Sequence, residues 1–371
     1  MLRRTLVLNK IFQQTLNHIK NIEIKNFKSI RHQTIDDCRR VNVFIGYPNV
    51  GKSNILEALG LYSISKNSNN ISDFVRYEEI PTLFFNGDVQ TEFQVKINNN
   101  HIVFGFLSDG LLSIKRQYSK NSNVLIEENL NKQVINPEID EKWGLQIGIN
   151  KTLNSFYTQD FHEVLMGHFI GAVRKYSFRR DNVGKEEYSY LSVPFGENLF
   201  AILSSYPTIR KEIVKLFKPY DLLLNLDKTS NTIKVVKDLK DGTIFTIPFS
   251  MIAETLERLT FHKVAVMSNE NSILLFEEPE AHMFPPYISK FTSDIMYDEN
   301  NNQYFIATHS PFVLNDFMED MDKEDLSIYA VGLKDGATVI RRLTDEEITE
   351  VYQYGVDLFF NLEDYLKDAV T

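Results

Sequence analysis

The chain has 371 residues, 43% apolar and 24% charged, the composition of a folded protein of two or three packed units rather than a disordered or coiled-coil one. Forty basic against fifty acidic residues give a net charge of −10, so the overall field does not hold it on nucleic acid, and DNA contact would need a local patch or an oligomeric groove. The single cysteine, Cys38, excludes a disulfide framework and a cysteine-based zinc cluster and fits a reducing cytoplasm.

In chain order, the first twenty residues carry an apolar run of only Leu6–Leu8, stopped by Asn9 and Lys10. A signal peptide needs a core of roughly 7–15 apolar residues, so an amphipathic helix or a loose extension is expected over 1–20. No run reaches the roughly 18 apolar residues of a membrane span. Residues 21–27 (NIEIKNF) alternate with period two and read as a strand. Residues 40–45 (RVNVFI) read as a second strand that runs into Gly46. Residues 53–63 place Ile55, Leu56, Leu59 and Tyr62 on one face and predict a helix. A polar loop follows over 65–73. Residues 84–120 alternate as antiparallel strands with a hairpin at Asp109-Gly110. Residues 121–190 are polar, lack a clean period and read as an inserted subdomain or lid. Helical and strand segments resume at Pro194, with a hairpin over 232–247, a helix over about 251–266, an apolar strand over 272–276, a helix over 286–297 and a strand over 304–307. A β pair over 326–343 and a last helix complete the order.

Residues 46–53 (GYPNVGKS) match G-x-x-x-x-G-K-[ST], with a predicted strand before and a predicted helix after, the context this pattern requires. Successive amides and the helix N-terminus form a nest for phosphate oxygens, and the glycines allow close approach. Lys52 would reach the β and γ phosphates, and the Ser53 hydroxyl would bind Mg²⁺. The nucleotide-binding set expected here is Gly46, Asn49, Val50, Gly51, Lys52, Ser53 and Asn54. No Asn-Lys-x-Asp guanine element occurs, which favours ATP.

The run ILLF at 273–276 ends in Glu277 and Glu278, followed by Pro279, Glu280, Ala281 and His282. A short continuous apolar run bounded by polar residues predicts a buried parallel strand, and ligands sit at the carboxyl ends of such strands. Glu277 would then hold Mg²⁺ directly or through water, and Glu278 would orient or deprotonate the attacking water. Lys52 and Glu277 are 225 residues apart, so an insertion is expected between the two halves of the site. A second buried strand leads to Thr308 and His309, and His309 would face the γ-phosphate. Ser310 is expected to cap the next helix, with Pro311 in its first turn.

These three elements, with residues 24–30 (IKNFKSI) as the first strand, resemble the ABC-type ATPases of the SMC, RecF and OLD group (AAA_21/AAA_15-like). The EEPEAH run at 277–282 followed by Pro285 is most similar to the OLD-type branch. The resemblance implies an α/β ABC-type P-loop ATPase head with a mixed sheet, an antiparallel β subdomain and a central, mainly helical insertion. It implies lobe I over 21–120, an insertion over 121–190, lobe II over 191–345 and a helical tail over 346–371. It also implies ATP and Mg²⁺ as cofactors and a homodimer or higher homo-oligomer of heads. Small members of this group act in prokaryotic anti-phage systems, of which the two-gene PARIS type is the nearest kind. They work beside a separately encoded effector, often a TOPRIM-type nuclease. DNA is a further candidate partner, a membrane is not, and a cytoplasmic location is expected.

Two departures from the group's pattern stand out. Its Leu-Ser-x-Gly signature, which acts across the subunit interface, aligns with Ala253, Glu254, Thr255 and the turn up to Arg258, so the serine oxygen and the glycine are missing. Pro48 and Asn49 stand where relatives carry Asn and Gly, although Asn tolerates left-handed φ. Gln90 and Gln94 are the candidates for the Q-loop. Residues 173–185 (VRKYSFRRDNVGK) interleave basic and aromatic residues, a pattern that fits a nucleic-acid backbone, an acidic partner or a solvated loop. The sequence supports three readings: an ATP-driven switch for a partner effector, a RecF-like ATPase acting on DNA, and a nucleotide-bound scaffold with slow hydrolysis.

Overall fold

The computed structural model describes residues 18–63, 71–98, 100–106, 112–117, 125–128, 146–149, 156–159, 173–180 and 188–370. The expected N-terminal helix, the Asp109-Gly110 turn, Lys185 and most of 121–190 lie outside the described residues.

The central sheet has the order β10-β14-β15-β3-β16-β17, formed by Val173–Tyr176, Ile273–Glu277, Gln303–Ala307, Val41–Gly46, Leu326–Lys334 and Ala337–Arg342. Its first five strands run parallel and β17 turns back antiparallel on β16. The strands β14, β15 and β3 are largely apolar because both faces are covered, with Asn42 and Gln303 as buried polar exceptions. Alternate residues divide between two cores. Phe44, Ile273, Leu275, Phe305 and Ala307 enter one. Val43, Ile45, Leu274, Phe276, Tyr304 and Ile306 enter the other.

The first core also holds helix α1 (Lys52–Gly60) and a second, antiparallel sheet of order β2-β1-β4-β5-β6-β7. Its strands are β1 (Ile22–Phe27), β2 (Ile30–Ile35), β4 (Phe93–Ile97), β5 (Asn100–Phe106), β6 (Leu112–Gln117) and β7 (Leu125–Glu128). Phe93 anchors it, with ring centroids 5.2 Å from Phe27 and 5.1 Å from Phe84. The second core is closed by α2 (Leu199–Ser205), α3 (Pro207–Phe217), α4 (Glu254–Ser268), α5 (Pro285–Met296) and α6 (Pro311–Asp320). A three-stranded sheet, β11 (Leu222–Asp227), β12 (Thr232–Asp238) and β13 (Ile244–Pro248), lies beside α3. A pair, β8 (Gln146–Ile149) and β9 (Phe156–Gln159), completes the strands. Thr344 and Glu347 form a capping box that starts α7 (Asp345–Tyr354), and α8 (Leu362–Val370) follows.

The molecule is therefore the α/β head expected, with a mixed sheet and separate antiparallel sheets. Two strands differ from the sequence reading. β2 (IRHQTI) buries only its two end isoleucines, so it carries no alternating signal. β10, assigned by sequence to the insertion, is the edge strand of the central sheet and pairs with β14. Its four residues include two cations, which hid it as polar loop. The regular elements among the described residues of 121–190 are strands, and the helices α2 and α3 come after them.

Candidate nucleotide site

The buried strand β3 carries the chain to Gly46, where the phosphate loop begins. Asn49 and Gly51 take positive φ, 63° and 102°, and Gly51 sits at the N-cap of α1. A Cβ at Gly51 would lie 2.2 Å from Thr338 Oγ1 and 2.7 Å from Ser29 Oγ. One at Gly46 would lie 2.4 Å from the Val331 carbonyl oxygen. Both positions demand glycine for space, and Gly51 for backbone freedom as well. The loop is braced from outside the motif. The Thr338 hydroxyl lies 2.6 Å from Ser29 Oγ and 2.8 Å from the Val50 carbonyl. The Asn54 amide donates to Ser29 Oγ at 2.7 Å, so Asn54 holds the loop's shape. Lys52 Nζ crosses the loop and donates to the Gly46 and Tyr47 carbonyls, each at 2.9 Å. Tyr47, Pro48 and Asn49 face solvent.

Glu277 ends β14, two strands away from β3, with β15 between them. The next residue, Glu278, keeps sheet register through its N–H on the Ala307 carbonyl at 2.8 Å while taking a φ of 44°. That conformation costs a residue with a Cβ of order 1 kcal/mol or more and turns the carboxylate outward. At the end of β15, the Thr308 N–H bonds the Phe44 carbonyl of β3 at 3.1 Å, which places His309 between the phosphate loop and Glu278. His309 Nε2 lies 3.7 Å from Glu278 Oε1. Ser310 occupies the N-cap of α6, but its side chain makes no capping bond. Lys52, Ser53, Glu277, Glu278 and His309 thus converge at the carboxyl ends of three parallel strands.

The description of the AAA domain family matches residues 21–246. The chain belongs to the AAA domain family. A Helicobacter pylori protein named ATP/GTP phosphatase is 23% identical over 346 residues, covering 82% of this chain and 88% of its own. The DNA replication and repair protein RecF of Caldanaerobacter subterraneus is 29% identical over 96 residues, 23% of this chain and 26% of RecF. Protein ea59 of Escherichia phage lambda is 41% identical over 59 residues, 15% of this chain and 11% of its own. A crystal structure of an SMC head bound to the C-winged helix domain of ScpA covers 90% of this chain and 99% of that one, at a TM-score of 0.48 and 11% identity.

Around Glu277 this AAA domain builds a charge network that no motif announces. Arg76 donates to Glu277 Oε1 at 2.8 Å and to Glu57 Oε1 at 2.8 Å. Lys28 pairs with the other Glu57 oxygen, and the Glu57 side chain is fully buried. Lys175, from the edge strand β10, donates to the Phe74 carbonyl at 2.8 Å and lies 3.8 Å from Glu277 Oε2. Burial alone would raise the Glu277 carboxyl. Lys175, the Ser53 hydroxyl, Arg76 and Lys28 outweigh it and hold Glu277 below the usual carboxylate range. Glu277 is thus an ionised oxygen donor hydrogen-bonded to the Ser53 hydroxyl, a pair that suits a hard cation. Among the described residues, no cluster of three or more His, Cys, Asp or Glu could hold a metal by itself. Such a donor set fits Mg²⁺ that brings phosphate oxygens and waters with it. Burial lowers the Lys52 ammonium to about 8, opposed by Glu278, Glu277 and Glu280. Burial and Lys52 lower His309, opposed by Glu278, so its imidazole is neutral at pH 7.

The expected signature region forms the start of α4. Ala253 is its N-cap without a side-chain cap bond, and the Thr255 hydroxyl donates to the His282 carbonyl at 2.8 Å. Arg258 donates to Glu254 at 2.8 Å and lies over the Phe178 ring. Glu254 and Glu257 stand in the first turn, where they disfavour a second anion, and Arg180 pairs with both. In the basic segment at 173–180, Lys175 is buried and Arg174 half-buried, while Arg179 and Arg180 are exposed but engaged with neighbouring side chains. Arg174 bonds Asn269 and lies over the Tyr190 ring, Lys175 is buried, and Arg179 lies over Phe195. Of the Q-loop candidates, Gln90 bonds Asp88 through its N–H, and Gln94 pairs with Lys25 and Val103 within the antiparallel sheet. Arg76 and Glu57 escaped the sequence reading, and Lys175 and Glu280 entered it only within the 173–185 and EEPEAH segments, without these roles.

Proposed function

We propose that the chain binds ATP with Mg²⁺ and hydrolyses it slowly, as a switch whose heads pair and gate a separately encoded effector. The observation that carries the nucleotide part is the convergence of Lys52, Ser53, Glu277, Glu278 and His309 at neighbouring strand ends. Lys52 and the loop amides bind the β and γ phosphates. Ser53 and Glu277 hold Mg²⁺, which neutralises charge developing on the phosphate oxygens. Glu278 orients and deprotonates water, and neutral His309 contacts the γ-phosphate. The missing serine and the acidic first turn of α4 make turnover slow. The name ATP/GTP phosphatase borne by the Helicobacter pylori relative supports a nucleotide hydrolase.

The role in anti-phage defence, with a nuclease of TOPRIM type as effector, rests on the family resemblance and the OLD-like EEPEAH run. A RecF-like role on DNA is the second reading, favoured by the 96-residue match to RecF. The net charge of −10 weakens it. The deciding experiment measures ATP and GTP turnover with and without duplex DNA, and phage plating on cells carrying this chain with its genomic neighbours. Turnover and plating protection lost together in Lys52→Ala support the switch. Turnover that rises only with DNA, without plating protection, supports the second reading.

A further inference from the structure

The loop 278–284 joins three parts of the site. Its first residue is Glu278, and its Ala281 and Met283 N–H groups bond back to the Glu278 and Glu280 carbonyls at 3.0 and 2.9 Å. His282, with φ 60°, accepts the Thr255 hydroxyl of α4 through its carbonyl. The side chain of Glu280 turns the other way, toward the end of β15. Its Oε1 accepts the Thr308 hydroxyl at 2.5 Å and the His309 N–H at 3.0 Å. Thr308 Oγ1 in turn accepts the Ser310 N–H at 2.9 Å, so one carboxyl oxygen organises the turn from β15 into α6. The other oxygen, Oε2, is shut off from solvent and meets no hydrogen-bond partner among the described residues. A carboxylate half left unsatisfied costs free energy unless something is gained by keeping it. What this one holds is the backbone that carries His309, whose ring stands beside Glu278.

We propose that Glu280 is a positioning residue for hydrolysis: by tying the Thr308 hydroxyl and the His309 N–H to one oxygen, it fixes the His309 ring relative to Glu278 and the phosphate loop. Glu280 does not touch the nucleotide. Burial, first among the influences on it, raises its carboxyl, and Glu278 adds to the rise against the bonds from Thr308 and His309. Glutamine keeps the shape of this side chain and its Oε1 acceptor for the Thr308 hydroxyl and the His309 N–H. Loss of the tie lets the strand-end turn relax, and small misplacements of a catalytic group cost up to about 100-fold in rate.

The inference rests on the hydrolase reading, and the test separates the two. ATP turnover is measured for the full chain and for Glu280→Ala and Glu280→Gln, with thermal melting as the folding check. His309 is followed in each protein by the NMR signals of its imidazole. Expected for Glu280→Ala is a fall in kcat of about 10- to 100-fold with KM within about twofold, and for Glu280→Gln a return to near the parent rate. An unchanged kcat in Glu280→Ala, a change confined to KM, or Glu280→Gln as slow as Glu280→Ala overturns the proposal. Should the parent itself show no turnover, the hydrolase reading fails, and the NMR signals decide the positioning. His309 signals displaced in Glu280→Ala but not in Glu280→Gln support it, and signals unmoved in both refute it.

Discussion

Single side chains decide whether the site works at all. Lys52 is held over the phosphate loop by two carbonyls that an incoming phosphate would replace as partners. Lys52→Ala removes a charged hydrogen bond of about 1.5–3 kcal/mol, so ATP affinity falls at least about tenfold in a fluorescent-nucleotide titration. Retained affinity would refute the assignment. Glu278→Gln keeps size and removes the base, so turnover drops about 100-fold or more while ATP binding persists. An unchanged rate would favour the nucleotide-bound scaffold instead. These residues were legible because 46–53 and 277–282 are contiguous and their spacing is diagnostic. Arg76, Glu57 and Lys175 were not legible. They come from a loop, a helix and an edge strand, and only the fold makes them neighbours.

At the level of elements, two packing features invite measurement. Glu57, one turn beyond Ser53 on α1, ties Lys28 of the β1–β2 turn and Arg76 to the helix while fully buried. Glu57→Ala leaves Lys28 with only the Arg76 carbonyl, while Arg76 keeps Glu277 and solvent, and urea unfolding is expected to show a loss of about 1–3 kcal/mol. On α4, His262 is enclosed by the rings of Phe261, Phe276 and Phe291, and neither ring nitrogen has a hydrogen-bond partner among the described residues. Burial, with Arg258 adding to it, pushes its pKa down from 6.5 to about 3. The unfolded chain takes up a proton near pH 6.5 and the folded one only near 3. Stability from this site is whole above 6.5 and drains away as pH falls toward 3. Between pH 7 and 5 the parent should lose about 2 kcal/mol more than His262→Phe, read from urea midpoints at each pH. Equal losses would mean that the ring is not sealed. Continuous apolar runs made β14 and β15 readable, since strands covered on both faces need no polar side, and β3 was readable despite Asn42. The same logic concealed β2 and β10. Both are short and charged, and only their neighbours make them strands.

For the whole molecule, the apolar side chains Met251, Phe284 and Phe312 are 73%, 65% and 51% exposed and flank the loops that carry Ala253, Glu280 and His309. Under the switch reading they meet a second head. ATP with Glu278→Gln should then sediment as a dimer, whereas Lys52→Ala with ATP should stay monomeric. Identical sedimentation of the two would argue against head pairing. The strand order carries another consequence, for how the chain is made. β3 is buried along its whole length, yet both its sheet neighbours, β15 and β16, lie about 260 or more residues later. At 5–20 residues per second, a ribosome takes roughly 13–50 s to supply them. Through that interval the nascent phosphate loop has no sheet to stand on, and its greasy strand is a natural client for a chaperone.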